Sequence, residues 1–147
     1  MQQSATYLET QVLTASPHRL HLMVVDAALR HARRGAEGIE QRQWDVMFLS
    51  LSKARDCLSE LIGGLKPEVD PELVEPTKQL FVFVYRNLAK ADFERNAALV
   101  QDAIRVLEIH RETWLELGQG LVGAPLRPTA TAPVSEGPVA TGRSWMT

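Results

Sequence analysis

Few residues in this chain carry the chemistry that catalysis or metal binding needs. The histidines are His18, His21, His31 and His110, and Cys57 is the single cysteine. His18 and His21 stand three residues apart and could share a metal. No carboxylate or cysteine stands at ligand spacing beside them, and a structural zinc site takes four ligands. The Glu-x-x-His motif of di-metal carboxylate bundles does not occur. His110 falls between Leu107 and Trp114, on the edge of an apolar stripe. A hydrogen-bonded histidine at the core edge is expected there, rather than a catalytic base. None of the histidines has the lysine and glycine neighbours of a phosphotransfer site. Cys57 follows Asp56, whose charge raises a thiol pKa and so weakens it as a nucleophile. It reads as a packing residue. There is no glycine-rich phosphate loop and no dinucleotide fingerprint. The sequence therefore predicts no catalytic residue, no metal site, no cofactor and no enzymatic activity.

Composition narrows the class further. The chain has 147 residues, 45% of them hydrophobic and 23% charged, which suits one globular domain. Net charge is -2 with both signs interspersed. A nucleic-acid partner is not expected, because phosphate binding needs a basic face. A single cysteine allows no internal disulfide and fits a reducing cytoplasm. The start, MQQSATYLETQ, has no basic region followed by an apolar one, so no secretory signal is read there. No apolar run approaches the roughly 18 residues of a membrane span, so no membrane insertion is expected.

The elements that would position any site are helices. Ser16 as N-cap and Pro17 at the first helical position start one that should run to about Arg34. Gly35 and Gly38 are expected to loosen the chain after it. A second helix is expected over 43–62, where Met47, Phe48, Leu51, Ala54, Leu58 and Leu61 recur at helical spacing and Gly63-Gly64 stop it. Asp70-Pro71 opens a third, expected over 71–91, with Pro76 close to its start. Its LFVFVY run, residues 80–85, has the strongest strand propensity in the chain. No turn residues bound that run and no second strand is available to pair with it, so a helix is predicted. A fourth helix is expected over 96–117, ended by Gly118 and Gly120. From residue 119 the chain turns to Pro, Ala, Thr and Gly, a composition that predicts disorder over 119–147. Such helices with short links predict an all-α fold, an antiparallel four-helix bundle over 16–118.

The bundle has apolar surface to spare. From Leu20 to Leu29, apolar residues wrap most of the first helix, and residues 80–88 do the same for the third. One apolar stripe per helix is enough for a bundle. The surplus could be covered by the leader from Tyr7 to Leu13, by a second copy in a homodimer, or by a partner chain laid as a helix in a groove.

Three stretches carry a resemblance. They are YLETQVLTASPHRLHLMVVDAAL from Tyr7, SKARDCLSELIGGL from Ser52, and RVLEIHRETWLEL ending at Leu117. YRNLAKAD, residues 85–92, adds to them. In this order and spacing the chain resembles the FliS family, export chaperones of flagellin, from Tyr7 to about Leu117. It departs from the family at Val24-Val25-Asp26-Ala27, where Leu-Tyr-Asp-Gly is frequent, and at His18, where glutamate is common.

The resemblance implies an antiparallel helical bundle whose N-terminal segment, here 1–15, packs as a short cap. It implies a cytoplasmic protein that binds the disordered C-terminal segment of flagellin, blocks premature polymerisation and helps deliver it to the export gate. Client folding coupled to binding would absorb part of the interaction energy and keep the complex releasable. On that reading Tyr7, Val12 and Leu13 cover apolar surface in the free protein and rearrange when the client arrives. Helical spacing then picks Met47, Phe48, Leu51, Phe81, Val84, Tyr85 and Leu88 as groove residues. The alternative is a non-enzymatic homodimer that uses the same surface for self-association.

Overall fold

The computed structural model describes residues 16–66 and 71–123. They form helices α1 (Pro17–Glu40), α2 (Trp44–Gly63), α3 (Pro71–Glu94) and α4 (Ala97–Gly123). The expected cap, with Tyr7, Val12 and Leu13, and residues 124–147 of the expected disordered tail lie outside the described residues.

Each helix packs on two neighbours in the cyclic order α1, α2, α3, α4. Gly35 and Gly38 of α1 lie against Leu51 and Met47 of α2, so the two run in opposite directions. Asp26 and Arg33 meet Arg111 and Glu108, which sets α1 antiparallel to α4. Phe81 and Asn87 meet His110 and Leu99, which does the same for α3 and α4. This is an antiparallel four-helix bundle.

Ser16 caps α1 as its sequence predicts. Its backbone is extended and its Oγ accepts from the Arg19 N–H at 3.2 Å. The helix then runs past the expected end at Arg34 to Glu40. Gly35 and Gly38 do not loosen it; they let α2 come close. A Cβ on Gly38 would stand 2.7 Å from the Met47 backbone nitrogen, and one on Gly35 would enter the Leu51 side chain. The price in helix propensity, about 1 kcal/mol per glycine, is set against close packing with Ala32 and Ala36, both buried. Arg42 closes the helix at φ 56, a left-handed turn usually given to glycine.

α3 is helical throughout, and LFVFVY lies inside it. Phe81, Val84, Leu88 and Ala91 sit on one face at steps of three and four and are buried. Pro76 is tolerated in the second turn. Asn96 starts α4 by accepting from the Ala98 N–H at 2.9 Å. α4 continues past Leu117, through the expected stop and the first residues of the expected tail, to Gly123. Gly118 is again a residue of close approach, since a Cβ there would enter the His18 ring. Among the described residues, no helix is long and apolar enough to cross a membrane.

Candidate partner-binding face

The core takes most of the residues that helical spacing selects. Met47 and Leu51 of α2, and Phe81, Val84 and Leu88 of α3, are buried inside the bundle. Phe48 and Tyr85 are not: 54% and 37% of their surface is exposed. Phe48 follows Met47 and Tyr85 follows Val84, so each is turned about 100° from its buried neighbour. Both turn toward the side on which α2 meets α3. Arg55, two turns beyond Phe48 on the same side of α2, reaches Asp92 of α3 there. Phe93, 89% exposed, stands beside Asp92. At the end of this face, the Arg95 guanidinium lies 4.2 Å from the Trp44 ring centre.

This face therefore has an apolar rim on a rigid floor. Phe48 and Tyr85 stand on it, while Leu51, Val84 and Leu88 fix the helices beneath. Leu49, Phe83, Phe93 and Ile109 are further exposed apolar residues that the spacing argument did not select. The signal for them is the large apolar residue that falls off the stripe, not on it. On α1, Val25, Ala28 and Leu29 are buried, while Leu20, Leu22, Met23, Val24 and Ala27 are partly exposed.

Three of the four histidines, His18, His21 and His110, form a layer at the other end. His21 and His110 face each other with Nε2 atoms 2.7 Å apart, so one ring donates and the other accepts. Trp114 stacks on His18 at 5.3 Å and donates its indole N–H to the His18 carbonyl oxygen at 3.2 Å. Phe81 sets its edge to His110 at 4.9 Å. Burial pushes His21 down to about 3, helped by His110 and His18, and burial pushes His110 down to about 4. These rings are neutral packing groups. Among the described residues, no group of three or more His, Cys, Asp or Glu is placed to hold a metal. Burial, then Glu60 and Asp56, pushes the Cys57 thiol up, away from a reactive thiolate.

The seam between α1 and α4 differs from the α2/α3 face. Arg111 Nε donates to Asp26 Oδ1 at 2.6 Å, and Arg33 donates to Glu108 at 2.5 Å. Arg30 and Glu112 line the same groove.

The sequence model of one family, described as "Flagellar protein FliS", matches residues 1–120 of this chain. The chain belongs to the FliS family. Relatives named flagellar secretion chaperone FliS align over most of their length. The one from Salmonella typhimurium is 27% identical over 111 residues, covering 75% of this chain and 82% of the relative. The one from Bacillus subtilis is 25% identical over 108 residues, covering 74% and 80%. The one from Vibrio cholerae is 22% identical over 107 residues, covering 73% and 79%. The FliS match includes the first three helices and α4 up to residue 120, and with them both sides of the α2/α3 face.

Proposed function

We propose that this FliS-family protein is a cytoplasmic export chaperone for flagellin. It holds the C-terminal segment of flagellin as an amphipathic helix on the α2/α3 face, keeps it from polymerising early, and helps hand it to a component of the export gate. The observation that carries this reading is the exposure of Phe48 and Tyr85 on one face of a FliS-family bundle, whose relatives are named flagellar secretion chaperones. Exposed aromatic residues on a rigid helical floor are what an amphipathic helix needs to bury its apolar stripe. The protein acts by binding and folding its client, without a catalytic step. Under this proposal Tyr7, Val12 and Leu13 cover apolar surface in the free protein and rearrange when the client arrives. Met47, Leu51, Phe81, Val84 and Leu88 contribute by fixing the floor from within.

The test is a pull-down of the cognate flagellin, intact and without its last helical segment. Capture of the intact protein only is expected; equal capture of both overturns the reading. Sedimentation separates it from self-association. A monomer that binds the segment one to one supports the chaperone, and a tight dimer that excludes it supports the homodimer. Deleting residues 1–13 should change the affinity for the segment and leave the helical circular dichroism largely intact.

A further inference from the structure

The α2/α3 face is not uniformly apolar. Phe48, Ser52, Arg55, Ser59 and Ile62 follow one another along α2 at steps of four and three. Val82, Tyr85, Ala89 and Asp92 do the same along α3. One ion pair crosses between these strips: Arg55 Nη1 donates to Asp92 Oδ2 at 3.3 Å. The two side chains are only 18% and 15% exposed. The contact is long for a charge-assisted hydrogen bond, which closes to about 2.7–2.9 Å when well made. A guanidinium has five N–H donors, and this bond is the one Arg55 makes to a side chain among the described residues. An ion pair withdrawn this far from water needs further hydrogen bonds to offset its desolvation.

We infer that Arg55, held by Asp92, is a specificity-determining residue of the partner-binding face: its spare N–H groups take a side-chain oxygen that the client helix carries within its apolar stripe. This rests on the flagellin-binding reading above. The oxygen belongs to a carboxylate or carboxamide. A helix that brings it pairs the guanidinium as the face is covered. A helix of equal hydrophobicity without it covers the donors and leaves them unpaired, which costs the desolvation of a charged group. The pair thus selects among amphipathic helices and fixes the register of the one that binds, as a single polar residue does in a coiled-coil seam.

The test is a double-mutant cycle by titration calorimetry on the full chain. The ligands are the flagellin C-terminal peptide and a set in which each Asp, Glu, Asn and Gln is singly replaced by Ala. The proteins are wild type, Arg55→Met with Asp92→Leu, and Phe48→Glu. The double variant removes both charges and leaves neither stranded, so thermal unfolding should be close to wild type. Its affinity for the parent peptide should fall about tenfold. One Ala peptide should bind wild type about tenfold more weakly, yet bind the double variant as well as the parent peptide does. If the double variant binds the parent peptide like wild type, or every Ala peptide weakens equally with both proteins, Arg55 only supports the fold and the inference is overturned. Loss of binding in Phe48→Glu then still upholds the flagellin reading. If wild type binds no peptide, the reading and the inference both fall. Should the double variant unfold, Arg55→Lys, which keeps the charge beside Asp92 and loses the planar fork, is read through the same cycle.

Discussion

Across the α1/α4 seam, Arg111 meets Asp26 and Arg33 meets Glu108. On the α2/α3 face, Phe48 and Tyr85 stand exposed beside one mostly buried ion pair. The helices are of similar length and packed in the same way, but the two surfaces end their business differently. The charged seam satisfies its groups within the molecule, and water covers the remainder at little cost. The aromatic face cannot do so, because each exposed ring keeps apolar area in water at about 25 cal/mol per Å². Helix packing alone therefore does not distinguish a closed surface from a receptive one. The residue types that fall beside the core stripe do.

That contrast can be broken from either side. The largest expected effect is on the α1/α4 seam and comes from acid. The seam ends in the His21–His110 pair, packed against His18, Phe81 and Trp114, and among the described residues no carboxylate acts on either ring. Both rings have folded pKa values depressed below the 6.5 of the unfolded chain, to about 3 and about 4. Below pH 6.5 the unfolded chain binds more protons, so stability is present above that pH and is lost as pH falls toward the folded values. The loss is about 2 kcal/mol per ring at pH 5. Urea unfolding of wild type and His21→Phe/His110→Leu from pH 7.5 to 5 should show a decline that the variant largely lacks. Parallel declines would assign acid sensitivity to other groups.

On the aromatic side, Phe48→Glu with Tyr85→Glu should weaken flagellin-segment binding by at least about thirtyfold, a hot-spot effect of about 2 kcal/mol. Helical circular dichroism should be unchanged, because neither ring is in the core. A third change sharpens the contrast at the helix turns. Arg42 and Arg95 both hold left-handed φ, at 56 and 54. Arg42→Gly should stabilise the protein by up to about 1 kcal/mol. Arg95→Gly should gain less in thermal unfolding, because it also removes the guanidinium over Trp44. The smallest effect belongs to the exposed seam. Arg33 and Glu108 are each 51% exposed, so Arg33→Ala should cost well under about 1 kcal/mol and leave segment affinity as it was.

The helices were legible in the sequence because caps and stripes are local. Ser16, Pro17 and the step-three, step-four pattern of Phe81, Val84 and Leu88 each act within one or two turns. LFVFVY reads as helix despite its propensity because no turn residues bound it and no second strand is available to pair with it. The role of the glycines is not legible, for the opposite reason. Gly35, Gly38 and Gly118 look like breaks until Leu51, Met47 and His18 are seen against them, and those partners are far away in the chain. The candidate face suffered the same confusion. Periodicity gathers what points inward, so Met47, Leu51, Phe81, Val84 and Leu88 came with Phe48 and Tyr85. Only the packing separates the two groups, and no periodic signal marks Phe93 or Ile109 at all.

Trp44 and Trp114 sit at opposite ends of the bundle, one under a guanidinium and the other against imidazoles. Each indole is therefore a built-in optical reporter for a separate part of the molecule. With Trp145 replaced, a single-tryptophan variant keeping Trp114 would follow acidification by its emission, and one keeping Trp44 would register a chain settling beside it. Two spectra from unlabelled protein would then tell loosening from occupancy.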